Sequence, residues 1–107
     1  MTSYFISRHP GAIEWARRQQ LTVDCVVPHL DPALVQPGDT VIGSLPVNLA
    51  AQVCAAGAAY WHLSLELPAA LRGQELSADD LEQVGARIEP FDIKPVTPIT
   101  LDPKSTQ

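Results

Sequence analysis

The chain has 107 residues, of which 46% are hydrophobic, and its formal net charge is −5 at pH 7. This length fits one domain with a modest core and a need for a partner subunit. The negative charge argues against binding to bulk nucleic acid, although a small anionic ligand needs only a few well-placed Arg residues. No apolar run reaches the roughly 20 residues of a membrane span and no leader is evident, so we expect a cytoplasmic protein without membrane contact.

The first part of the chain alternates apolar runs with helical patterns. Residues 3–7 are typical of a buried strand, and a helix is expected from residue 10 or 11 to about residue 20, with Ile13 and Ala16 facing inward. Residues 21–27 are predicted to form the second strand. A short helical turn should follow at residues 29–35, where Asp31 stands in the capping position.

The middle of the chain is typical of a strand, a tight loop and a helix. A β-branched run ends at Gly43, and Pro46 is expected to be the first residue of a helix that continues to Ala56. Leu45 would then be the N-cap, and leucine has no side-chain acceptor. The free amides of residues 47–49 must therefore bind water, the Ser44 hydroxyl or a ligand.

The remaining residues predict one more strand, one more helix and a tail. The strand is expected over residues 58–65, and a capping box at residues 77–80 should begin a helix that runs to about Glu89. Four prolines punctuate the chain from Pro90 onward. We therefore assign residues 1–90 to the α/β domain and residues 91–107 to an edge strand or arm with a frayed end.

Strands that alternate with helices predict a mainly parallel sheet that is covered on both faces, as in a small Rossmann-like α/β domain. The loops that follow the strands of such a sheet gather at one edge, where ligands bind. The polar side chains expected at this edge are Ser7, Arg8, His9, His29, Ser44, Asn48, His62, Ser64 and Arg72. Little else in the chain is both polar and so placed.

Arg8 and the histidines carry the chemistry of this edge. An Arg beside a helix start opposes the helix dipole unless it faces an anion, and a histidine can move protons near neutral pH. Each also has a structural interpretation, as a solvated arginine or a packed histidine. His29 and Asp31 could be half of a metal site, but no second ligand pair has suitable spacing, so no metal is predicted. Cys25 and Cys54 are expected to be reduced core thiols.

Several common motifs are missing from the sequence. It contains neither a Gly-x-Gly-x-x-Gly fingerprint nor a phosphate-binding Gly-Lys-Ser/Thr loop, which argues against ordinary dinucleotide or triphosphate sites. A Gly-x-Ser-x-Gly elbow and clustered carboxylates are also missing. The remaining possibility is a cationic, imidazole-bearing loop edge. It suits the binding of a phosphodiester, or the cleavage of one whose nucleophile belongs to the substrate, with no cofactor.

These segments also carry a family resemblance. The matching stretches are Phe5-Ile6-Ser7-Arg8-His9-Pro10-Gly11-Ala12, His29-Leu30-Asp31, Gly38-Asp39, Val41-Ile42-Gly43-Ser44-Leu45-Pro46-Val47-Asn48-Leu49-Ala50, His62-Leu63-Ser64-Leu65 and Arg72-Gly73-Gln74-Glu75-Leu76. Over residues 3 to about 90 the chain resembles small Csx-type accessory proteins of type III CRISPR systems. The resemblance implies a homodimeric, CARF-like domain that acts as a ring nuclease. Its expected substrate is a cyclic oligoadenylate, above all cyclic tetra-adenylate, whose cleavage switches off antiviral signalling.

The resemblance and the loop chemistry together suggest roles for individual residues. Arg8, His9 and His62 are the catalytic candidates, and either histidine could transfer the proton. The ligand-binding candidates are Ser7, Gly11, Ser44, Leu45, Asn48 and Arg72. Two alternatives stay open: a binding module that sequesters the cyclic nucleotide without cutting it, and a metal-dependent hydrolase that uses His29, Asp31 and another histidine.

Overall fold

Five strands and three α-helices alternate along residues 1–96, the part of the chain that this computed structural model describes. The strands are β1 (Ser3–Ile6), β2 (Cys25–Val27), β3 (Thr40–Gly43), β4 (Ala59–Ser64) and β5 (Arg87–Phe91). The helices are α1 (Pro10–Arg18), α2 (Val47–Ala55) and α3 (Ala78–Gln83), and two 3₁₀ turns cover Pro32–Leu34 and Ala69–Leu71. This order confirms the predicted α/β class.

The strands form one mixed sheet in the order β2-β1-β3-β4-β5. The first four are parallel, and β5 pairs with β4 in the antiparallel sense. At the centre, Phe5 of β1 pairs with Ile42 of β3, which in turn pairs with Trp61 of β4. The prediction of a mainly parallel sheet is therefore confirmed, with one antiparallel edge strand.

Alternation along the strands divides the core between the two faces of the sheet. On one face, Phe5 and Leu63 pack with buried residues of α1 and α3, including Trp15. On the other, Val41 and Tyr60 pack with buried residues of α2 and with Val35 after the first 3₁₀ turn. Helices thus cover both faces, as predicted, and α1 and α2 lie on opposite sides of the sheet.

Two expectations for the first β-α-β unit are wrong. Ile13 does not face inward: it is 36% exposed, whereas Ala12 and Ala16, four residues apart and one helical turn away from each other, are buried. The second strand does not begin at Leu21. It covers only Cys25–Val27, because an edge strand pairs with a single neighbour and β1 offers partners only from Tyr4 to Ile6.

The predicted last helix is also too long. The capping box is confirmed, since Ser77 Oγ accepts the Asp80 amide at 3.1 Å and the Asp80 carboxylate accepts the Ser77 amide at 2.9 Å. However, α3 ends at Gln83, and Gly85 follows with a φ of 73°, which favours glycine and ends the helix. The chain then enters β5, where Pro90 is tolerated because the strand lies at the sheet edge.

The segment after β5 is only partly described. Residues 92–96 have no regular secondary structure, and the sulfur of Cys54 accepts the Ile93 amide at 3.4 Å. The expectations for residues 97–107 lie outside the described residues. Cys25 and Cys54 are free thiols, as predicted, and both are partly buried. Cys54 packs against the core, but Cys25, on the edge strand, is not part of either core cluster, so its placement in the core was wrong.

Candidate functional site

A cleft of ≈ 690 Å³ opens at the carboxyl ends of the parallel strands. Its walls come from four loops, at residues 7–9 after β1, 28–30 after β2, 44–46 after β3 and 74–76 before α3. Its floor is largely apolar. The cleft lies where open α/β sheets bind ligands, because β1 and β3 are neighbours whose helices pack on opposite faces, so that the two loops diverge.

Five of the predicted site residues line this cleft: Ser7, Arg8, His9, Ser44 and Leu45. His29, which the sequence placed at the same edge, lines it as well. Gly11, Asn48, His62 and Arg72 lie outside the lining.

Arg8 differs from most other cationic side chains of the protein. Within residues 1–96, Arg17, Arg18, Arg87 and Lys94 each form an ion pair with at least one carboxylate. Arg8 and Arg72 are exposed and form none with any described residue. Because no acidic side chain neutralises it there, the guanidinium of Arg8 is available to an anion in the cleft.

His9 stands beside Arg8 at the start of α1. Its backbone N–H donates to Ser7 Oγ at 3.1 Å, so the Ser7 hydroxyl is already engaged in shaping the loop. Its ring nitrogen Nδ1 lies 3.1 and 3.2 Å from the two carboxylate oxygens of Glu75. Glu75, which was not among the predicted site residues, therefore belongs to the cleft wall. Its loop, residues 72–76, is one of the stretches that carry the family resemblance, but only Arg72 of that loop was named as a site candidate.

The loop between β3 and α2 is held by Tyr60, a second residue that was not predicted. The Tyr60 hydroxyl donates to the Gly43 carbonyl at 3.1 Å, accepts the Leu45 amide at 3.0 Å and lies 2.7 Å from Nδ1 of His62. A phenol has one hydrogen and two acceptor sites, so this set is complete if His62 donates from Nδ1. Burial raises the pKa of Tyr60, which keeps the hydroxyl protonated at neutral pH.

The first turn of α2 has no side-chain cap, but it begins one residue later than expected. Pro46, with an extended ψ of 147°, occupies the N-cap position, and Val47 is the first helical residue. Leu45, predicted to be the N-cap, therefore precedes the helix, and the Tyr60 hydroxyl accepts its amide hydrogen bond. Ser44 does not cap the helix either, since its hydroxyl donates to the Leu63 carbonyl at 3.1 Å.

The contrast among helix starts is informative. Asp31 accepts the Ala33 amide at 3.0 Å and Ser77 caps α3, whereas His9 and Pro46 provide no side-chain cap to α1 and α2. Both of these uncapped α-helix starts border the cleft. The 3₁₀ turn at Ala69–Leu71 has no side-chain cap either, but it lies outside the cleft lining. The amide groups and helix dipoles of α1 and α2 add positive potential to the site of Arg8.

The four remaining site candidates have other surroundings. Gly11 packs under the loop before α3, and Asn48 is exposed in the first turn of α2. His62 is half-buried, and its ring makes edge contacts with Tyr60 and Phe91. Arg72 is exposed, two residues before the loop of residues 74–76 that lines the cleft.

Neither a metal cluster nor a membrane helix is found in the part of the chain that the structure covers. Within residues 1–96, no three or more His, Cys, Asp or Glu side chains are grouped so that they could hold a metal ion. Asp31, which could have joined His29 in such a site, uses its carboxylate to cap the 3₁₀ turn. None of the helices in this range is long and apolar enough to cross a bilayer.

Comparison with known proteins gives one match. A family model described as "Putative CRISPR-associated protein (Cas_VVA1548)" matches residues 4–94. This range includes every strand and helix of the fold except Ser3, the first residue of β1, and all the loops of the cleft. No curated protein and no solved structure matches the chain. Because the family model covers most of the sequence, the chain belongs to the Cas_VVA1548 family of CRISPR-associated proteins.

Proposed function

We propose that this protein is a cytoplasmic ring nuclease that binds and cleaves a cyclic oligoadenylate, above all cyclic tetra-adenylate, and so ends type III CRISPR signalling. Membership of a CRISPR-associated family supports the biological setting. The α/β sheet, with its cleft at the carboxyl edge, supports kinship with the Rossmann-like CARF domains that sense such nucleotides. The specific reaction rests on the chemistry of the cleft.

The main support for the proposal is that Arg8 and two uncapped helix starts border the same cleft. Arg8 has no carboxylate partner among the described residues, and both helix starts favour negative charge. A phosphodiester is the anion that this arrangement suits. The apolar part of the lining, which includes Leu30, Leu49 and Leu63, offers a surface against which an adenine base can pack.

Cleavage would use the 2′-hydroxyl of the substrate as the nucleophile. That oxygen attacks the adjacent phosphorus, the bond to the 5′ oxygen breaks, and the products are a 2′,3′-cyclic phosphate and a 5′-hydroxyl. The protein must align the two oxygens, stabilise the added charge and move a proton. Arg8 and the amides at the start of α2 are proposed for the charge, and His9 for the proton. His62 is the other histidine proposed for that proton transfer.

We further propose that the protein acts as a homodimer. The cleft of one protomer has a volume typical of a site for a small ligand, whereas cyclic tetra-adenylate has four nucleotides related by symmetry. A two-fold dimer whose carboxyl edges meet would present two equivalent clefts to one ring. Arg72, exposed and without a carboxylate partner among residues 1–96, is proposed to support the phosphates from outside each cleft.

The test is to incubate the purified protein with cyclic tetra-adenylate in excess EDTA and to separate the products by chromatography with mass detection. Linear products that end in 2′,3′-cyclic phosphate support a metal-independent ring nuclease. Unchanged ligand that co-elutes with the protein would indicate the rival function, a module that sequesters the nucleotide. Cleavage only after Mn²⁺ or Mg²⁺ is added would contradict the proposed chemistry.

A further inference from the structure

Among the described residues that line the cleft, Glu75 is the one acidic side chain, and its carboxylate lies against His9. Both carboxylate oxygens are within hydrogen-bond distance of His9 Nδ1, at 3.1 and 3.2 Å. No described residue forms a hydrogen bond with the other ring nitrogen, Nε2. The imidazole thus has one nitrogen engaged by a carboxylate and one left available.

The backbone fixes where Glu75 stands. A methyl group on Gly11 would lie 1.9 Å from the Leu76 carbonyl oxygen, so the loop rests directly on the first turn of α1. The capping box at Ser77 anchors the next residue, and the Gln74 side chain donates to the Ala70 carbonyl at 3.1 Å. Glu75 is therefore held between two anchored neighbours, beside the helix whose N-cap is His9.

A carboxylate accepts hydrogen bonds but cannot donate one, so a neutral His9 that bonds to Glu75 must carry its hydrogen on Nδ1. We propose that Glu75 is a positioning residue that holds His9 in the Nδ1–H tautomer and so makes Nε2 the proton acceptor of the cleft. This inference deepens the ring-nuclease proposal and rests on it for the identity of the substrate. The tautomer itself does not depend on any substrate.

In the proposed step, His9 Nε2 takes the proton of the ribose 2′-hydroxyl as the 2′ oxygen bonds to phosphorus. The bond between phosphorus and the 5′ oxygen breaks, and the 5′ oxygen leaves with the electron pair and takes a proton from water. The imidazolium then returns its proton to water, so no cofactor or co-reactant is consumed. The carboxylate of Glu75 stabilises the imidazolium without accepting its proton.

The pair is of little use to the fold itself. The His9 and Glu75 side chains are 56% and 61% exposed, and exposed ion pairs contribute little to stability. Removal of Glu75 should therefore leave folding intact and change only the ring of His9. A Glu75 variant that folds normally but has an altered His9 ring would indicate a positioning role rather than a structural one.

The first arm of the test reads the tautomer by long-range ¹H–¹⁵N NMR of histidine-labelled protein at about pH 8.5, above the range in which histidines ordinarily titrate. The signals of the three histidines are assigned with single His→Gln variants. We expect His9 to be in the Nδ1–H form and Glu75→Ala to move it towards Nε2–H, whereas Glu66→Ala, a matched exposed glutamate paired with Arg87, changes nothing. The inference would be overturned if wild-type His9 is in the Nε2–H form, or if its tautomer does not change in Glu75→Ala.

The second arm measures single-turnover cleavage of cyclic tetra-adenylate. Glu75→Ala should lower the rate on the order of 10- to 100-fold, part of the contribution of positioned proton transfer, with little change in ligand affinity. Glu75→Gln, which keeps a carbonyl acceptor, should recover part of the loss. An equal rate in Glu75→Ala, or an equal loss in Glu66→Ala, refutes the positioning role. A wild-type protein that cuts nothing refutes the ring nuclease, while the first arm still decides the tautomer.

Discussion

The polar groups at the two ends of the sheet differ in whether they have a partner within the chain. At the amino end, the Asp39 carboxylate accepts the amides of Thr2 and Gln36 at 2.8 and 2.9 Å. The Asp24 carboxylate accepts both the amide and the hydroxyl of Ser3, at 2.8 and 3.0 Å. Each carboxylate links the start of β1 to a segment more than 20 residues away in the sequence, and Asp39 also holds the turn at Gln36. Both carboxylates therefore stabilise the fold.

At the carboxyl end, two adjacent loops lead into helices without side-chain caps, and Arg8 has no carboxylate partner among residues 1–96. Side-chain caps are present at two other starts near the same cleft, at Asp31 and Ser77. The difference teaches that polar groups at the amino end serve the fold. At the carboxyl end, by contrast, the Arg8 guanidinium and the amides of two uncapped helix starts stay available to an anionic ligand.

The largest effect is expected from Arg8→Ala. We predict that it lowers the rate of cyclic tetra-adenylate cleavage by about 10²- to 10³-fold, comparable to the loss of one preorganised donor to the transition state. The Tm should not change, because no described residue forms an ion pair or hydrogen bond with the exposed Arg8 side chain. Single-turnover rates and thermal melts test both statements. An unchanged rate would place the anion site elsewhere.

Tyr60→Phe should lower both the stability of the fold and the affinity for ligand, whereas Arg8→Ala should lower only the cleavage rate. It removes a buried hydroxyl that holds Gly43, Leu45 and His62, and it leaves the Leu45 amide without its acceptor. We expect a loss of about 1–3 kcal/mol in the free energy of unfolding, together with weaker ligand binding through a looser loop. Urea denaturation and a binding titration measure the two effects. Full stability would show that the hydroxyl network is dispensable.

Asp39→Asn tests the amino end through pH. Hydrogen bonds from Gln36 and then Thr2 hold the pKa of the Asp39 carboxyl below its usual range. The folded state therefore binds this proton less tightly than the unfolded chain does. The stabilisation is present above the unfolded value of about 3.9 and is lost as the pH falls through the lowered folded pKa.

Thermal melts between about pH 7 and about pH 2 should therefore show an acid decline that is shallower in Asp39→Asn, with a lower Tm at neutral pH. Asp24, whose pKa Ser3 lowers, adds to the decline in both proteins. The cleavage rate of the folded variant should equal that of the wild type. If Asp39→Asn has the same steep decline in Tm as the wild type, the Asp39 carboxylate does not stabilise the amino end as described.

The smallest effect is expected from Arg17→Ala, the matched control for Arg8. Arg17 is 76% exposed and pairs with Glu14 at 2.6 Å on the outer side of α1. An exposed pair of this kind contributes little, so neither the Tm nor the cleavage rate should change measurably. A loss of activity as large as that of Arg8→Ala would mean that overall charge, rather than the cleft, governs the reaction.

Periodicity and turn chemistry predicted the elements whose causes are local. An apolar run predicted β1, a β-branched run predicted β3 and an alternating pattern predicted β4. The caps at Asp31 and Ser77 act as expected. The errors arose where pairing with a neighbouring strand determines the extent of an element. The length of β2 depends on what β1 offers, and β5 replaced the end of a predicted helix because Gly85 breaks it and β4 supplies a partner.

The site was predictable to the extent that its residues follow strands. The loops after β1 and β3 bring Arg8, His9 and Ser44 to one cleft, because carboxyl ends of parallel strands meet at one edge. Glu75 and Tyr60 could not be predicted this way. One comes from a loop 66 positions from its histidine, and the other acts through a buried hydroxyl inside a strand.

The most direct measurement is an amide NMR titration of ¹⁵N-labelled protein with a 2′-O-methyl analogue of cyclic tetra-adenylate, which lacks the nucleophile and cannot be cut. We predict that the largest shifts fall on residues 7–9, 29, 44, 45, 47, 48 and 74–76, around the cleft. Residues 2, 24, 36 and 39 at the amino end should remain unchanged. Shifts confined to the amino end, or no shifts at all, would contradict the assignment of the carboxyl edge as the nucleotide site.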